Sequence, residues 1–559
     1  MLRFVVFDRD GPAQTWPIRH AHLFGADDVP VPGTVRFEGS CVVGERSTSE
    51  AAGISLQYRP AEVTSPDAVE AIAGADPGVI TLRTCLLPDR DAPYLLSLEL
   101  ARHRIMLFLN KIEEWELFDL PPEDPVMGLF ETARQMFTRA LVAQRESDGH
   151  PSMAGFSWHA DQLARASLTL AIEAGEKLSL RYAADSLAQR ASGKTYAHAA
   201  EQYQLAANEP PPPDVPIILP SSIGVVMPGR PMLGVTVNPR DFGEPAKKAV
   251  GELADFVCMP LRWRDMEPKE GAYAFQPTDR WIEWAVRKAK MPVVAGPVID
   301  FRRSCIPEWL YIWENDYETL RELVYEHVRH IVTRYRRTVR RWTVASGLHV
   351  NTNFTFTFDQ MMDLTRVCVL MVRKLHPHAK IQLEITQPWG EYYGHNRRSL
   401  PPLLYAEMVA QAGVGVDAYA LRLQFGQHAA GQSSRDLMAL STLLDRYAAV
   451  LEKPLAITAV GAPSAPSRSE TDPDLEPGYW RQPWSERSQA AWIDAALSVC
   501  AGKPYIHSVC WQDLADAPNA ADAPEMPHGG LIHSTGDFKP AAEAFRAVRD
   551  HARGPRAGV

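Results

Sequence analysis

The sequence predicts an α/β protein in which a (β/α)8 TIM barrel follows a small β-sandwich-like module and a helical region. From residue 231 onwards, short apolar segments alternate with amphipathic segments of helical period, as in a chain of βα units. The first 92 residues contain short alternating segments separated by Gly, Pro, Asp and Ser, a pattern typical of antiparallel strands. Between these parts, apolar residues recur at three- and four-residue steps, which indicates helices.

The predicted boundaries follow these changes of pattern. Asp124 and Pro125 form an N-cap and first-turn pair that opens one helix of the middle region. An unbroken proline run at residues 210–213 cannot be helical, so it indicates a semi-rigid spacer. The predicted parts are residues 1–92 for the β-rich module, 93–207 for the helical region, 208–230 for the proline-rich linker and 231–559 for the barrel.

Eight apolar segments supply the predicted barrel strands. They include Gly234–Val237, Phe256–Met259, Val293–Gly296, Trp342–Ala345, Gln382–Ile385, Ala418–Leu421, Leu455–Thr458 and Ser508–Trp511. Active sites of such barrels lie at the carboxyl ends of the strands, so functional side chains are expected directly after these segments.

The composition excludes several partners. A formal net charge of -10 argues against a surface that neutralises phosphates, so we expect no nucleic-acid partner. The seven cysteines lack the spacing of a zinc site, and we expect neither a metal nor another cofactor. The N-terminus reaches Asp8 before any long apolar run, and no later stretch approaches the length of a membrane span. We therefore expect a cytoplasmic protein with no membrane partner.

Motifs along the barrel carry a resemblance to a known family. Residues 262–275 contain a basic residue followed by Trp, then Glu-Pro, Gly and an aromatic-x-Phe. Further motifs follow in order, namely Ile306–Leu310, Arg334-Tyr335, Trp342–Val344 and Lys539–Ala541. Together they resemble glycoside hydrolase family 10, the xylanases. The resemblance implies a (β/α)8 barrel directed at a saccharide or a glycoside, and it does not extend to the first 230 residues.

The resemblance breaks at both catalytic positions. A retaining glycosidase needs an acid/base and a nucleophilic carboxylate about 5 to 5.5 Å apart. The family's acid/base position after the fourth strand is Gly347 here, and its nucleophile position on the seventh strand is Ala459. The sixth strand also lacks the family's His and reads Arg422-Leu423-Gln424. Loss of the family's retaining hydrolysis is therefore expected.

Other residues at predicted strand ends are alternative site residues. Glu391, Asp300 and Asp513 are the carboxylates that could replace the missing pair. The predicted ligand-binding residues are Arg262, Trp263, Trp389, Glu391, Gln424 and Trp511. Trp389 and Glu391 share an aromatic loop of the kind that stacks on a sugar ring while a carboxylate accepts hydroxyl hydrogen bonds. Each aromatic residue could instead pack in the core, and each carboxylate could instead be solvated or salt-bridged.

Three functions are consistent with this sequence. The first is a saccharide-binding protein that has lost the family's hydrolysis. The second is an active O-glycosyl hydrolase of the endo-1,4-β-xylanase-like class that uses relocated carboxylates. The third is a scaffold protein that forms a homo-oligomer through its helical region. Fold carries over between relatives more safely than function does, because function resides in the site.

Overall fold

The computed structural model describes residues 1–9, 11–121, 123–146, 157–219, 224–467, 476–517 and 525–554. Its N-terminal part contains two β-sheets and a short helix. The elements are β1 (Leu2–Val5), β2 (His22–Phe24), β3 (Pro30–Val31), β4 (Gly33–Glu38), β5 (Cys41–Arg46), β6 (Gly53–Tyr58), α1 (Pro66–Ile72), β7 (Gly78–Arg83) and β8 (Tyr94–Leu95). The strand order is β4-β5-β1-β8 in one sheet and β7-β6-β2-β3 in the other.

Four helices follow the sheets. They are α2 (Leu96–Glu114), α3 (Pro125–Glu146), α4 (Trp158–Ala191) and α5 (Lys194–Ala207). Every residue from Ala160 to Glu176 of α4 is buried, because this helix contacts α1, α2 and α3 and also three helices of the barrel. The apolar surface of this helix is thus covered within the chain. No helix in the described ranges is long and apolar enough to cross a membrane.

The segment after α5 contains a small antiparallel ladder. Its two strands are β9 (Ile217–Ile218) and β10 (Val225–Val226), and the backbone N–H of Met227 then donates to the carbonyl of Pro504 in the barrel. Part of the segment predicted as a proline-rich linker therefore forms its own strand pair and is hydrogen-bonded to the barrel.

The barrel follows with alternating strands and helices. Its elements are β11 (Met232–Thr236), α6 (Glu244–Leu253), β12 (Phe256–Met259), α7 (Trp263–Met266), α8 (Gln276–Glu283), β13 (Val293–Ala295), β14 (Ile299–Asp300), α9 (Tyr317–Tyr335), β15 (Arg341–Ser346), α10 (Phe358–Leu375), β16 (Lys380–Thr386), α11 (Pro402–Gln411), β17 (Ala418–Gln424), α12 (Leu437–Leu451), β18 (Leu455–Gly461), β19 (Tyr479–Trp480), α13 (Glu486–Gly502), β20 (Ile506–Trp511) and α14 (Pro540–Arg553).

The barrel is closed and parallel. The strand order is β13-β12-β11-β20-β18-β17-β16-β15-β14, and β13 also pairs with β15. The third stave of the barrel is therefore split into β13 and β14, and the other seven staves are single strands. This barrel, with the extra sheets and helices before it, confirms the predicted fold class.

The N-terminal part and the barrel are joined by a β-sheet to which both contribute and by buried ion pairs. Strand β19 lies between the seventh and eighth barrel strands in sequence, but it pairs antiparallel with β7 and extends that sheet to five strands. Two buried cations of α2 reach acidic residues at α12: Arg104 lies 2.7 Å from Asp436, and Lys111 lies 2.8 Å from Asp445. These contacts fix the helical region against the barrel.

Candidate functional site

A cavity of about 130 Å³ lies at the carboxyl ends of the barrel strands. Strand residues that line it include Thr236, Cys258, Val294, Thr343, Glu384, Arg422 and Thr458. Its charged lining residues are Asp241, Asp265, Asp300, Glu384, Asp513, Asp516 and Glu525 together with Arg262, Arg302 and Arg422. Among the sequence-predicted site residues, the structure therefore brings Asp300, Asp513 and Arg262 together.

Gly347 and Ala459 are the residues that the sequence motifs predict at the family's two catalytic places, and the backbone at Gly347 favours glycine. Gly347 has a φ of +66°, and a Cβ there would lie 3.2 Å from the Thr386 methyl carbon. That same Cβ would lie 4.0 Å from Oδ1 of Asp300, so a larger side chain would crowd this carboxylate. Ala459 is buried in β18, where it is in register with Arg422 of β17.

Two carboxylates of the cavity belong to an ion-pair network. The guanidinium of Arg302 contacts Asp300 at 2.5 Å and also pairs with Glu525. Glu525 Oε2 accepts hydrogen bonds from Arg422 at 2.5 Å and from Gln424 at 3.0 Å. Gln424 itself is held by Gln432, which donates to its Oε1 at 2.7 Å. The network joins the ends of the third and sixth strands to the connection after the eighth.

The electrostatics of this network favour the ionised form of Glu525. Burial alone would raise the pKa of Glu525, but the charges of Arg302 and Arg422 outweigh it and hold this pKa well below its usual range. Arg302 is in turn stabilised as a cation, because Asp300 and Glu525 raise its pKa against the effect of burial. Glu525 therefore carries a negative charge that the two arginines neutralise.

Asp513 has a different environment. Burial raises the pKa of its carboxyl group to about 6, partly opposed by the charge of Arg422 and reinforced by that of Glu525. Arg262 also contributes to its electrostatic surroundings. In the part of the chain that the structure describes, the Arg262 side chain has no ion-pair or hydrogen-bond partner, so its guanidinium is available to a ligand.

Glu384 places a further carboxylate at the floor of the cavity. It is 1% exposed, and Oε1 accepts a hydrogen bond of 2.6 Å from the Ser346 hydroxyl. Sequence reasoning took the surrounding segment only as a strand. A charged residue inside the apolar run Gln382–Ile385 was the signal that could have identified it.

Glu391 and Trp389 lie away from this cavity. The Glu391 carboxylate is buried, pairs with Arg435 and accepts a 2.7 Å hydrogen bond from the Gly431 backbone. The Arg435 guanidinium also covers the ring of Trp389, 4.1 Å from its centroid. This group holds the loop after the fifth strand against the segment that precedes α12.

Trp263 and Trp511 are buried as well and do not line the cavity. The indole N–H of Trp263 donates to Glu267 at 2.8 Å, and its ring stacks on His327. The indole N–H of Trp511 donates to the Gly529 carbonyl at 2.8 Å. Of the predicted ligand-binding residues, Arg262 lines the cavity, whereas Gln424 reaches it through Glu525.

Sequence reasoning missed most of the ion-pair network. Arg302, Arg422 and Glu525 were not predicted as site residues, although Arg302 lies two positions after Asp300. The spacing suggests the pairing of Arg302 with Asp300. The other partner of Arg302 is Glu525, which lies more than 200 residues further along the chain. Within the described ranges, no group of three or more His, Cys, Asp or Glu side chains is arranged to hold a metal ion.

The closed parallel sheet with its surrounding helices defines this part of the chain as a (β/α)8 barrel. Residues 246–358 match the model of glycosyl hydrolase family 10, which confirms the resemblance found in the sequence. The matched range contains Gly347 and ends before Ala459.

Similar solved structures are also xylanases or members of this family. Xylanase 10B from Thermotoga maritima is 15% identical with a TM-score of 0.43, covering 57% of this chain and 95% of that chain. GH10 from Paenibacillus barcinonensis is 16% identical with a TM-score of 0.44, covering 59% and 97%. Xylanase10C from Cellvibrio japonicus is 14% identical with a TM-score of 0.44, covering 58% and 71%.

Proposed function

We propose that the barrel cavity binds a saccharide or glycoside and that the protein lacks the family's retaining hydrolysis. The observation that carries this proposal is the state of the cavity carboxylates. Gly347 and Ala459 supply none, whereas Asp300 and Glu525 are neutralised by Arg302 and Arg422. A nucleophilic carboxylate must attack the sugar opposite a second carboxyl group, and no such pair stands at the family's positions.

The polar lining supports binding. Arg262 offers unpaired donors, and Asp513 offers a carboxyl group that is free of ion pairs in the described chain. Sugar hydroxyl groups both donate and accept hydrogen bonds, so they can use both kinds of group. The cavity is smaller than the several hundred Å³ typical of pockets for drug-sized ligands. We therefore propose that it receives one terminal sugar unit of a short oligosaccharide.

Calorimetric titration with xylobiose, xylotriose and cellobiose, combined with mass-spectrometric product analysis, tests this function. We expect binding without new products. Arg262→Ala should weaken binding about tenfold, since it removes a charged donor. Arg264→Ala is the matched control, because Arg264 is an exposed neighbour of Arg262. This variant should bind the saccharides with unchanged affinity. Defined cleavage products from the native protein would refute the proposal.

An active hydrolase with relocated carboxylates is the second candidate function. The raised pKa of Asp513, about 6, favours it because a general acid must hold its proton near the working pH. Under this alternative, aryl xylosides and xylo-oligosaccharides are cleaved, and both Asp513→Asn and Asp300→Asn abolish turnover. Cleavage that survives both substitutions would exclude this assignment of the catalytic groups.

A further inference from the structure

A second cavity lies where the N-terminal sheets, α2 and the barrel meet. Its volume is about 260 Å³, and it shares no lining residue with the cavity at the strand ends. We call it the junction cavity. Its walls come from residues 27–30 and Arg83 of the N-terminal part, residues 103–110 of α2, and barrel residues of which Trp389, Leu403 and Arg435 are examples.

Three buried N–H groups at the junction cavity lack hydrogen-bond partners. They are Nε of Arg104, Nε of Arg435 and Nε1 of Trp389, none of which has an acceptor in the described part of the chain. The exposed fractions of these side chains' residues are 4%, 2% and 8%. A buried donor without an acceptor costs about 1 to 3 kcal/mol. A ligand with acceptor oxygens in this cavity would remove that cost.

Positive charge exceeds negative charge in the lining of this cavity. Four arginines line it, Arg83, Arg104, Arg435 and Arg446, against two acidic residues, Asp27 and Asp28. Arg83 and Arg446 both pair with the exposed Asp28, at 2.8 and 3.3 Å. The acidic partners of Arg104 and Arg435 do not line the cavity. Burial lowers the pKa of the lining His103, and the charges of Arg104 and Arg83 lower it further, consistent with positive potential there.

Apolar side chains form much of the remaining wall of the junction cavity. Met106, Leu107, Leu403 and Leu443 are among them. A ligand that fits both surfaces has acceptor oxygens at one end and an apolar portion at the other. The volume is sufficient for such a molecule, since a dry cavity of about 150 Å³ holds benzene.

We propose that the junction cavity is a binding site for a small organic anion, with a carboxylate or phosphate group toward the arginines and a short apolar portion toward the leucines. The charged oxygens accept hydrogen bonds from Arg104, Arg435 and Trp389. Charge-assisted hydrogen bonds of this kind are about twice as strong as neutral ones. The site is independent of the function proposed for the barrel cavity.

Calorimetric titration of the full chain with benzoate and phenyl phosphate tests this site, with benzyl alcohol as the neutral counterpart. We expect at least one anion to bind and benzyl alcohol to bind about tenfold more weakly or not at all. Ala439→Phe adds a ring at a lining position of α12 without removing a charge, and it should abolish binding. Arg446→Gln, which removes a half-buried cation, should weaken binding several-fold.

Two controls separate this site from other effects. Arg262→Gln removes the unpaired cation of the barrel cavity and should leave anion binding unchanged. Thermal unfolding of each variant without ligand establishes that it is folded. The proposal is overturned if neither anion binds at millimolar concentration, if benzyl alcohol binds as well as the anions, or if folded Ala439→Phe retains binding. Loss of binding in Arg262→Gln would also overturn it, by assigning the anion to the barrel cavity.

Discussion

Buried His349 should make the stability of the protein fall in weak acid. This residue follows Gly347 at the end of the fourth barrel strand and is 0% exposed. Its Nε2–H donates to the Thr386 carbonyl at 2.9 Å, and its ring stacks on Tyr405. The side chain therefore fixes the ends of two neighbouring strands, and it does so as a neutral ring.

The magnitude follows from its pKa. Burial lowers the pKa of His349 from 6.5 to about 4, partly opposed by the hydrogen bond to Thr386. Between these two values the unfolded chain binds more protons than the folded one, so stability rises with pH. The contribution is fully present above the unfolded pKa and is lost as pH falls through this window. From pH 7.5 to pH 5.0 the loss is about 2 kcal/mol, at about 1.4 kcal/mol per unit of pKa difference.

Urea unfolding at the two pH values, followed by tryptophan fluorescence, measures this contribution. In His349→Gln the amide can still donate to Thr386, but the titrating group is gone. We expect this variant to lose about 2 kcal/mol less than the native chain between pH 7.5 and pH 5.0. His20, whose pKa is also lowered to about 4, still titrates in both proteins, so the comparison isolates His349.

The matched control is His159→Gln, which changes an exposed histidine near the start of α4. It should show the same pH dependence as the native chain. If His349→Gln loses as much free energy of unfolding as the native chain over this interval, the reasoning is refuted. Equal behaviour would mean that His349 is hydrated and titrates alike in both states.

Three further predictions concern other buried groups. Glu391→Gln leaves Arg435 as a buried cation without its anion, so the free energy of unfolding should fall by about 3 to 5 kcal/mol. Urea titrations measure this loss, and an unchanged urea midpoint would contradict it. Arg190→Met removes donors to three carbonyl oxygens, from the end of α13 to the start of β20, at 2.6 to 2.9 Å, so it should lower the thermal midpoint. Arg181→Met, at a half-exposed site of the same helix, should lower the midpoint much less. Saccharide affinity should rise as pH increases through about 6, because ionised Asp513 is the stronger acceptor, and Asp513→Asn should abolish that rise in calorimetry.

The sequence allowed the barrel to be predicted because its strands are buried on both faces. Such strands are continuous apolar runs, as in Phe256–Met259 and Leu455–Thr458, and their regular alternation with helices defines a parallel barrel. Local pattern was sufficient for this result. The assignment of Gly347 and Ala459 to the family's catalytic places rests on motifs nearby in the sequence and stays a prediction.

The site could be predicted only in part, because the side chain that each charged or aromatic residue contacts lies far away in the sequence. The sequence predicts Glu391 as a candidate catalytic carboxylate, and its pairing with Arg435 across 44 residues has no local signal. Trp263 was expected to bind ligand, but it packs on His327, more than 60 residues away. A tryptophan at a strand end has the same sequence appearance whether its ring faces a cleft or the core.

The pairing of β19 with β7 has a consequence for synthesis of the chain on the ribosome. N-terminal domains usually fold first as they emerge, but here the outer strand of an N-terminal sheet comes from near the C-terminus. Until Ser434 and then Tyr479 are translated, the outer backbone edge of β7 lacks its native neighbours. An unpaired edge can recruit foreign strands, so we expect nascent chains to depend on chaperones for most of their elongation.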